Sequence, residues 1–392
     1  MTAYNQVEMT QLKIFSHENP TKSISQSSKN NIKSDAMSSA KPTVLDLFCG
    51  CGGFSLGFQQ AGFEIIAGID NDKEALFTLK KNFKNTHSLN IDLSKQSWLD
   101  GLLSNIGEKQ IDIIIAGPPC QGFSLTGPRN FDDPRNSLYL AVLNAVQYFK
   151  PTAFIIENVK GMKGLYNGAI VSEICSRIRK LKYNPNASIL NASNYGVPQF
   201  RDRFFIVGLA EELGYFTFPK PTHSQETYVS CETAIGDLPS REYSLGEEKD
   251  VYDEVVLSEF QKKMKGGQKH LFNHVATNHK DFVKEVISMV PEGGNYKDLP
   301  PGIGESRKFN EAWTRYHSKK PSRTIDTGHR NHFHYKYNRV PTIRENARLQ
   351  TFPDSFIFYG SKTAQNRLVG NAVPPMLGQA LAYKIKKHLT VK

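Results

Sequence analysis

One stretch limits the fold of this chain more than any other. Ile111-Asp112-Ile113-Ile114-Ile115-Ala116 is apolar almost throughout and mostly β-branched. That is the pattern of a strand covered on both faces, as in a parallel sheet with helices above and below. Gly117, Pro118 and Pro119 stop it, so Cys120 falls in the loop just past the strand's carboxyl end. In open α/β sheets that edge is where ligands and chemistry gather. A thiol there is a candidate nucleophile, the alternative being a small buried hydrophobe.

The same texture recurs along the chain. Val44-Leu45-Asp46-Leu47-Phe48 reads as a first strand, followed by Gly50, Gly52, Gly53 and Gly57, a helix from about Phe54 to Gln60, and a second strand from Ile65 to Asp70. Strand-like runs return at Phe154–Ile156, Ser188–Leu190 and Phe204–Val207, with helical periodicity over Ser137–Lys150 and Val171–Lys182. Such alternation predicts a doubly wound, mostly parallel sheet with helices on both faces. Residues 1–41 are rich in Ser, Asn, Lys and Thr and predict a disordered tail. After about Gly208 the pattern breaks into polar, Gly/Pro-punctuated sequence, and helical texture returns at Thr342–Thr351 and Pro375–Leu389. We therefore expect a catalytic and cofactor-binding domain over 42–210, a smaller irregular domain over 211–355, and a C-terminal segment, 356–392, returning to the first.

The glycine loop after the first strand can bring backbone close to a nucleotide-bearing ligand. It is not a dinucleotide fingerprint, because counting G-x-G-x-x-G from Gly50 puts Ser55 where the third glycine belongs. Asp70 ends the second strand, about 20 positions on, where a carboxylate can accept hydrogen bonds from ribose hydroxyls. Lys and Arg number 49 against 38 Asp and Glu, a net charge of +11. That excess favours a polyanionic partner, either nucleic acid or a membrane surface. No apolar run approaches the ~20 residues that span a bilayer. Five cysteines, odd in number and unevenly spaced, suit reduced thiols in a cytoplasm rather than a disulfide frame.

Pro118-Pro119-Cys120-Gln121-Gly122-Phe123-Ser124 resembles the catalytic loop of the DNA cytosine-5 methyltransferases. Further blocks similar to that family follow its order: Asp46-Leu47-Phe48-Cys49-Gly50-Cys51-Gly52-Gly53-Phe54, Glu157-Asn158-Val159, Gln199-Phe200-Arg201-Asp202-Arg203, the run from Arg344 to Pro353, and Gly370-Asn371-Ala372-Val373-Pro374. The resemblance spans about residue 42 to the C-terminus. It implies the S-adenosylmethionine-dependent methyltransferase fold with a target-recognition domain between Arg203 and Arg344. It also implies S-adenosylmethionine as cofactor: Phe48, Gly50 and Gly53 lining it, Asp70 on the ribose, Asp92 on the adenine amino group, Pro119 near the methionine portion, and Asn371 reaching back from the C-terminal block. Many family members place an aromatic residue at the position of Asn71; this chain departs from them there.

The chemistry explains the residue types. Carbon 5 of cytosine is a poor nucleophile, and addition of the Cys120 thiolate at carbon 6 makes it enamine-like. Glu157, about one strand-helix-strand unit further on, suits a proton or hydrogen bond at ring nitrogen 3, which requires a raised pKa. By resemblance Arg203 contacts the exocyclic oxygen, while Arg201 supports the extruded nucleotide and its flanking phosphate. Of the basic residues between Arg203 and Arg344, lysines such as Lys262, Lys263, Lys308 and Lys319 are candidates for phosphate contact and arginines such as Arg307, Arg315, Arg323 and Arg330 for reading base edges, with most of the charge forming a solvated face. His329, His332 and His334 have few carboxylates and no cysteine near them, so we expect no metal there but packing or contact with DNA. In the tail, Gln11-Leu12-Lys13-Ile14-Phe15 resembles the short peptide with which bacterial proteins dock on the replication sliding clamp.

The expectation is a bacterial, cytoplasmic, nucleoid-associated monomer that methylates cytosine in double-stranded DNA as the modification half of a restriction-modification pair. A tRNA cytosine methyltransferase is the nearest rival, and the Cys-Phe-Thr segment of that branch is not found here. A catalytically idle DNA-binding regulator is the rival from another class, and it has no need of Cys120, Glu157 and Arg203.

Overall fold

The computed structural model describes residues 41–119, 137–253, 255, 257–304, 311–328 and 331–389. Cys120, the Gln11–Phe15 peptide, Arg307, Lys308, His329 and Arg330 lie outside the described residues.

Seven strands form one sheet in the order β3-β2-β1-β4-β5-β7-β6. They are β1 (Thr43–Leu47), β2 (Glu64–Asp70), β3 (His87–Asn90), β4 (Ile113–Ala116), β5 (Ala153–Val159), β6 (Tyr183–Asn191) and β7 (Asp202–Ala210). β1 to β5 run parallel, and β7 inserts antiparallel between β5 and β6. The predicted fold class is therefore the observed one. β6 extends well beyond Ser188–Leu190 and includes Pro185, which is tolerable because β6 is an edge strand.

Successive residues of the inner strands feed opposite faces, as the period of two requires. Val44, Ile113, Ile155 and Phe205 point into one apolar layer, and Leu45, Ile114, Ile156 and Phe204 into the other. The first layer is covered by α1 (Gly53–Gln60), α2 (Lys73–Asn82) and the last helix; the second by α3 (Trp98–Ile106), α4 (Ser137–Phe149) and α5 (Ala169–Lys180).

After β7 the elements are short: α6 (Cys231–Ile235), α7 (Glu259–Lys265) and α8 (Asp281–Met289), with two-residue ladders between them. Cys231, Ala234, Phe260 and Leu271 pack into the same core as the first face of the sheet. Ile287, Val290, Phe333 and Val340 gather in a small core of their own. The chain then returns through α9 (Ile343–Leu349), α10 (Lys362–Asn371) and α11 (Pro375–Leu389). α11 lies against α1 closely enough that a Cβ at Gly57 would come 2.6 Å from the backbone nitrogen of Gln379. Only glycine fits that crossing.

α9 is buried at every position, so its charged side chains must be satisfied internally. Thr342 and Glu345 form a capping box at its start, and Glu345 also binds Arg339 with oxygen–nitrogen distances of 2.6 and 2.8 Å. Arg344 donates to the carbonyls of Phe272, Pro353 and Phe356. Arg348 donates to both oxygens of Asp354 at 2.9 and 2.7 Å and to Asp237 at 2.5 Å. Removing one member of such a network strands its partners' charge, at a cost of about 3–5 kcal/mol. Arg348→Met should therefore lower the unfolding free energy by about that amount. Chemical denaturation of the purified chain measures it, and an unchanged midpoint would refute the claim that α9 is anchored by this network.

Candidate active site

Sheet register builds the site. Leu47 pairs with Ile69 and Ala116, and Ala116 with Ile156. The next residue on each strand path is Phe48, Asp70, Gly117 or Glu157, so all four arrive together at the carboxyl edge. Between β1 and β4 the strand order reverses, which opens the crevice expected of a doubly wound sheet. A cavity of about 500 Å³ occupies it, and all four residues line it.

At one end of the cavity lies the glycine turn. Gly50 has φ +52°, and a Cβ there would meet nothing within 4 Å. Phe48 is also left-handed, at φ 60°, a costly conformation for an aromatic residue of the kind found at ligand clamps. Asp70 orders the turn: one carboxylate oxygen accepts from the Gly50 nitrogen and the other from the Asp72 nitrogen, both at 2.9 Å. Burial raises the Asp70 pKa, and these two hydrogen bonds oppose the rise. Asp92 lies at the same cavity, its pKa lowered by hydrogen bonds from Ser94. Asn71, Pro119 and Asn371 also line it.

At the other end is the pair foreseen for cytosine. Glu157 on β5 faces Phe205 on β7, and Arg203 lies two residues before Phe205. The antiparallel register thus makes Glu157 and Arg203 diagonal neighbours. Arg203 Nε lies 2.9 Å from Glu157 Oε1, and both side chains are more than four-fifths buried. Burial raises the Glu157 pKa, while the charges of Arg203 and Arg201 pull it down. Asn158, next along β5, donates from Nδ2 to the Pro118 carbonyl at 3.0 Å.

Several expectations need correction. Arg201 does not face the cavity: it is fully buried and donates to the carbonyls of Ile325, Gly370 and Ala372 at 3.2, 2.7 and 3.1 Å. Arg315 is buried too and donates to Val290, Ile287 and His334 carbonyls, so it is not free to read a base edge. His334 is stacked against Tyr335 and Tyr337 and accepts backbone N–H groups of Lys336 and Tyr337. Among the described residues no cluster of three or more His, Cys, Asp and Glu is placed to hold a metal.

Sequence reasoning passed over Asp46, Asn158's contact and Arg367. Asp46 is a carboxylate inside an otherwise apolar strand, which was the available signal. It accepts from Ser55 Oγ at 2.6 Å, and burial brings its pKa to about 7. Cys49 and Cys51 also line the cavity, but burial pushes both thiols up, Cys51 to about 12. Neither is a nucleophile.

The donor set tests the cofactor. Asp46, Asp70, Asp72, Asp92 and Glu157 line the cavity, against Arg203 and Arg367 as the cations. Such a surplus of carboxylates disfavours a pyrophosphate and suits a cationic ligand with ribose hydroxyls and an amino-bearing base. The open space beside Gly50 and the apolar side chains of Phe48, Ile91 and Leu93 accommodate a nucleoside. These residues fit S-adenosylmethionine.

Comparison with known proteins agrees. The family model of the C-5 cytosine-specific DNA methylases matches residues 42–387. The chain is 38% identical over 356 residues to the type II methyltransferase M1.HphI of Haemophilus parahaemolyticus, covering 89% of this chain and 87% of that one. It is 36% identical to the type II methyltransferase M.DdeI of Desulfomicrobium norvegicum, over 87% and 88% of the two chains. A solved structure of a putative DNA modification methyltransferase encoded within an E. coli prophage shares 26% identity with a TM-score of 0.72, over 89% of this chain and all of that one. No helix among the described residues is long and apolar enough to cross a membrane. With its cofactor cradle and its Glu157–Arg203 pair at one sheet edge, the chain belongs to the C-5 cytosine-specific DNA methylases, S-adenosylmethionine-dependent enzymes that methylate carbon 5 of cytosine in DNA.

Proposed function

We propose that this enzyme modifies one specific double-stranded DNA sequence in the bacterial cytoplasm, at the nucleoid, as the modification half of a type II restriction-modification pair. The names of its relatives support that role. The observation that carries the chemical reading is the buried Glu157–Arg203 pair at the cavity that also holds the Asp70 cradle.

S-adenosylmethionine supplies a methyl group made electrophilic by its sulfonium. The target cytosine enters the cavity extruded from the duplex, since a stacked base cannot reach the sheet edge. Arg203 holds the exocyclic oxygen, and its Nε, 2.9 Å from Glu157 Oε1, keeps the Glu157 carboxyl turned toward the same ring. Glu157 gives a proton or hydrogen bond to ring nitrogen 3, which draws electron density from carbon 6. The Cys120 thiolate adds at carbon 6, and the electron pair displaced from the double bond makes carbon 5 nucleophilic. Carbon 5 would take the methyl group that the bound cofactor supplies, its sulfur leaving as a neutral thioether; loss of the carbon 5 proton to solvent and expulsion of Cys120 then restore the aromatic ring.

Bisulfite sequencing of DNA from a host expressing the chain should show protected cytosines in one sequence context, and none with Cys120→Ser. A duplex carrying 5-fluorocytosine at that site should trap the wild type covalently. Trapping or methylation by the serine variant would refute the assignment of the nucleophile.

Protonated Glu157 is the active form, so single-turnover methyl transfer should fall as pH rises through its elevated pKa. Glu157→Gln should lower the rate by about 10²–10⁴-fold and abolish that high-pH limb. A limb that persists in the variant would assign it to another group.

Gln11–Phe15 is proposed to dock on the replication sliding clamp: Leu12, Ile14 and Phe15 would fill an apolar groove, with Gln11 at its rim. Tethering there would concentrate the enzyme on newly replicated DNA. Immobilised host clamp should retain the wild type and release Leu12→Ala/Phe15→Ala; equal retention of the two would overturn the idea.

A further inference from the structure

One wall of the cavity is formed by the residues that follow Asp70. Asn71 follows Asp70 there, and it is an exposed amide with no aromatic face. The side chain that reaches the same wall comes from the far end of the chain. Arg367 on α10 lines the cavity, and its Nη2 lies 2.7 Å from Asp72 Oδ2 and 2.9 Å from Glu74 Oε2. Both carboxylates are fixed in turn by α2. Asp72 is its N-cap, accepting from the Glu74 and Ala75 nitrogens, and Glu74 lies in its first turn.

We propose that the Arg367 guanidinium, pinned by Asp72 and Glu74 beside Asn71, is the planar surface against which the adenine of S-adenosylmethionine stacks. This rests on the cofactor assignment above and adds a binding residue to it. A guanidinium is flat, delocalised and weakly hydrated, so it stacks on an aromatic ring where an ammonium cannot. Both ion-pair contacts run through Nη2, which fixes one corner of the plane and leaves its face available. The side chain is 39% exposed, and pairs that open to solvent add little to folding. Their value here is orientation. Ile91 and Leu93, which line the same cavity, supply the apolar surface for the rest of the base.

Arg367→Lys separates the two roles, because lysine keeps the charge and the reach to Asp72 and Glu74 but has no plane. Calorimetry should show S-adenosylhomocysteine binding roughly 3- to 30-fold weaker to Arg367→Lys than to wild type. S-ribosylhomocysteine, which has the same tail and ribose but no purine, should be displaced equally well from both proteins. Adding Asn71→Trp to Arg367→Lys should restore affinity for S-adenosylhomocysteine. The ligand-free unfolding temperature should be the same in all three proteins. Equal affinity of wild type and Arg367→Lys for S-adenosylhomocysteine, or the same loss for both ligands, would overturn the proposal. Failure of the wild type to bind S-adenosylhomocysteine would instead overturn the cofactor assignment.

Discussion

The site is held together by one buried cation that never touches it. Among the described residues Arg201 has no carboxylate partner within reach of a hydrogen bond; its two terminal nitrogens donate to the carbonyls of Ile325, Gly370 and Ala372, while Nε is left without a partner. A guanidinium left without these oxygens in the core would be very costly, so the three segments must meet. They lie 124, 169 and 171 positions away in the chain. Ile325 ends the descent from Thr324, whose hydroxyl donates to the Phe200 carbonyl, and Gly370 and Ala372 flank Asn371. Arg201 thus fixes the C-terminal loop against the strand that carries Arg203.

Gly370 shows how tight that meeting is. A Cβ there would collide with the Asp326 carbonyl, so the glycine of the Gly370–Pro374 block is required by backbone approach rather than by a turn. The same block places Asn371 on the cavity wall. The segment around Ile325, the C-terminal loop and the stretch leading into β7 therefore share a single knot of backbone oxygens and one side chain.

The central strands were legible in the sequence because apolar, β-branched runs ended by glycine or proline leave little choice. β3, a four-residue polar edge strand, gives no such signal, since one side of it has no neighbour to bury it. α10 was missed for the opposite reason: Gln365 and Asn366 are polar yet buried, so its periodicity is hidden. Glu157 and Arg203 could be found by motif and spacing. The role of Arg201 could not, because residues two apart share a face only within a regular strand, and β7 begins at Asp202. Arg315 misled in the same way: its charge marks solvent or ligand in a sequence, whereas here backbone carbonyls consume it; His334 packs against Tyr335 and Tyr337, one of the two roles expected of it.

The surplus of carboxylates around the cavity also bears on turnover. Before transfer the ligand carries a sulfonium charge, and afterwards its sulfur is a neutral thioether. Walls bearing Asp70, Asp72 and Asp92 against Arg203 and Arg367 among the described residues attract the first more strongly than the second at the same geometry. Demethylation of the ligand thus weakens its own hold. The electrostatic bias that draws a charged ligand in is cancelled by the reaction, so the same walls favour exchange of the neutral thioether for a fresh sulfonium.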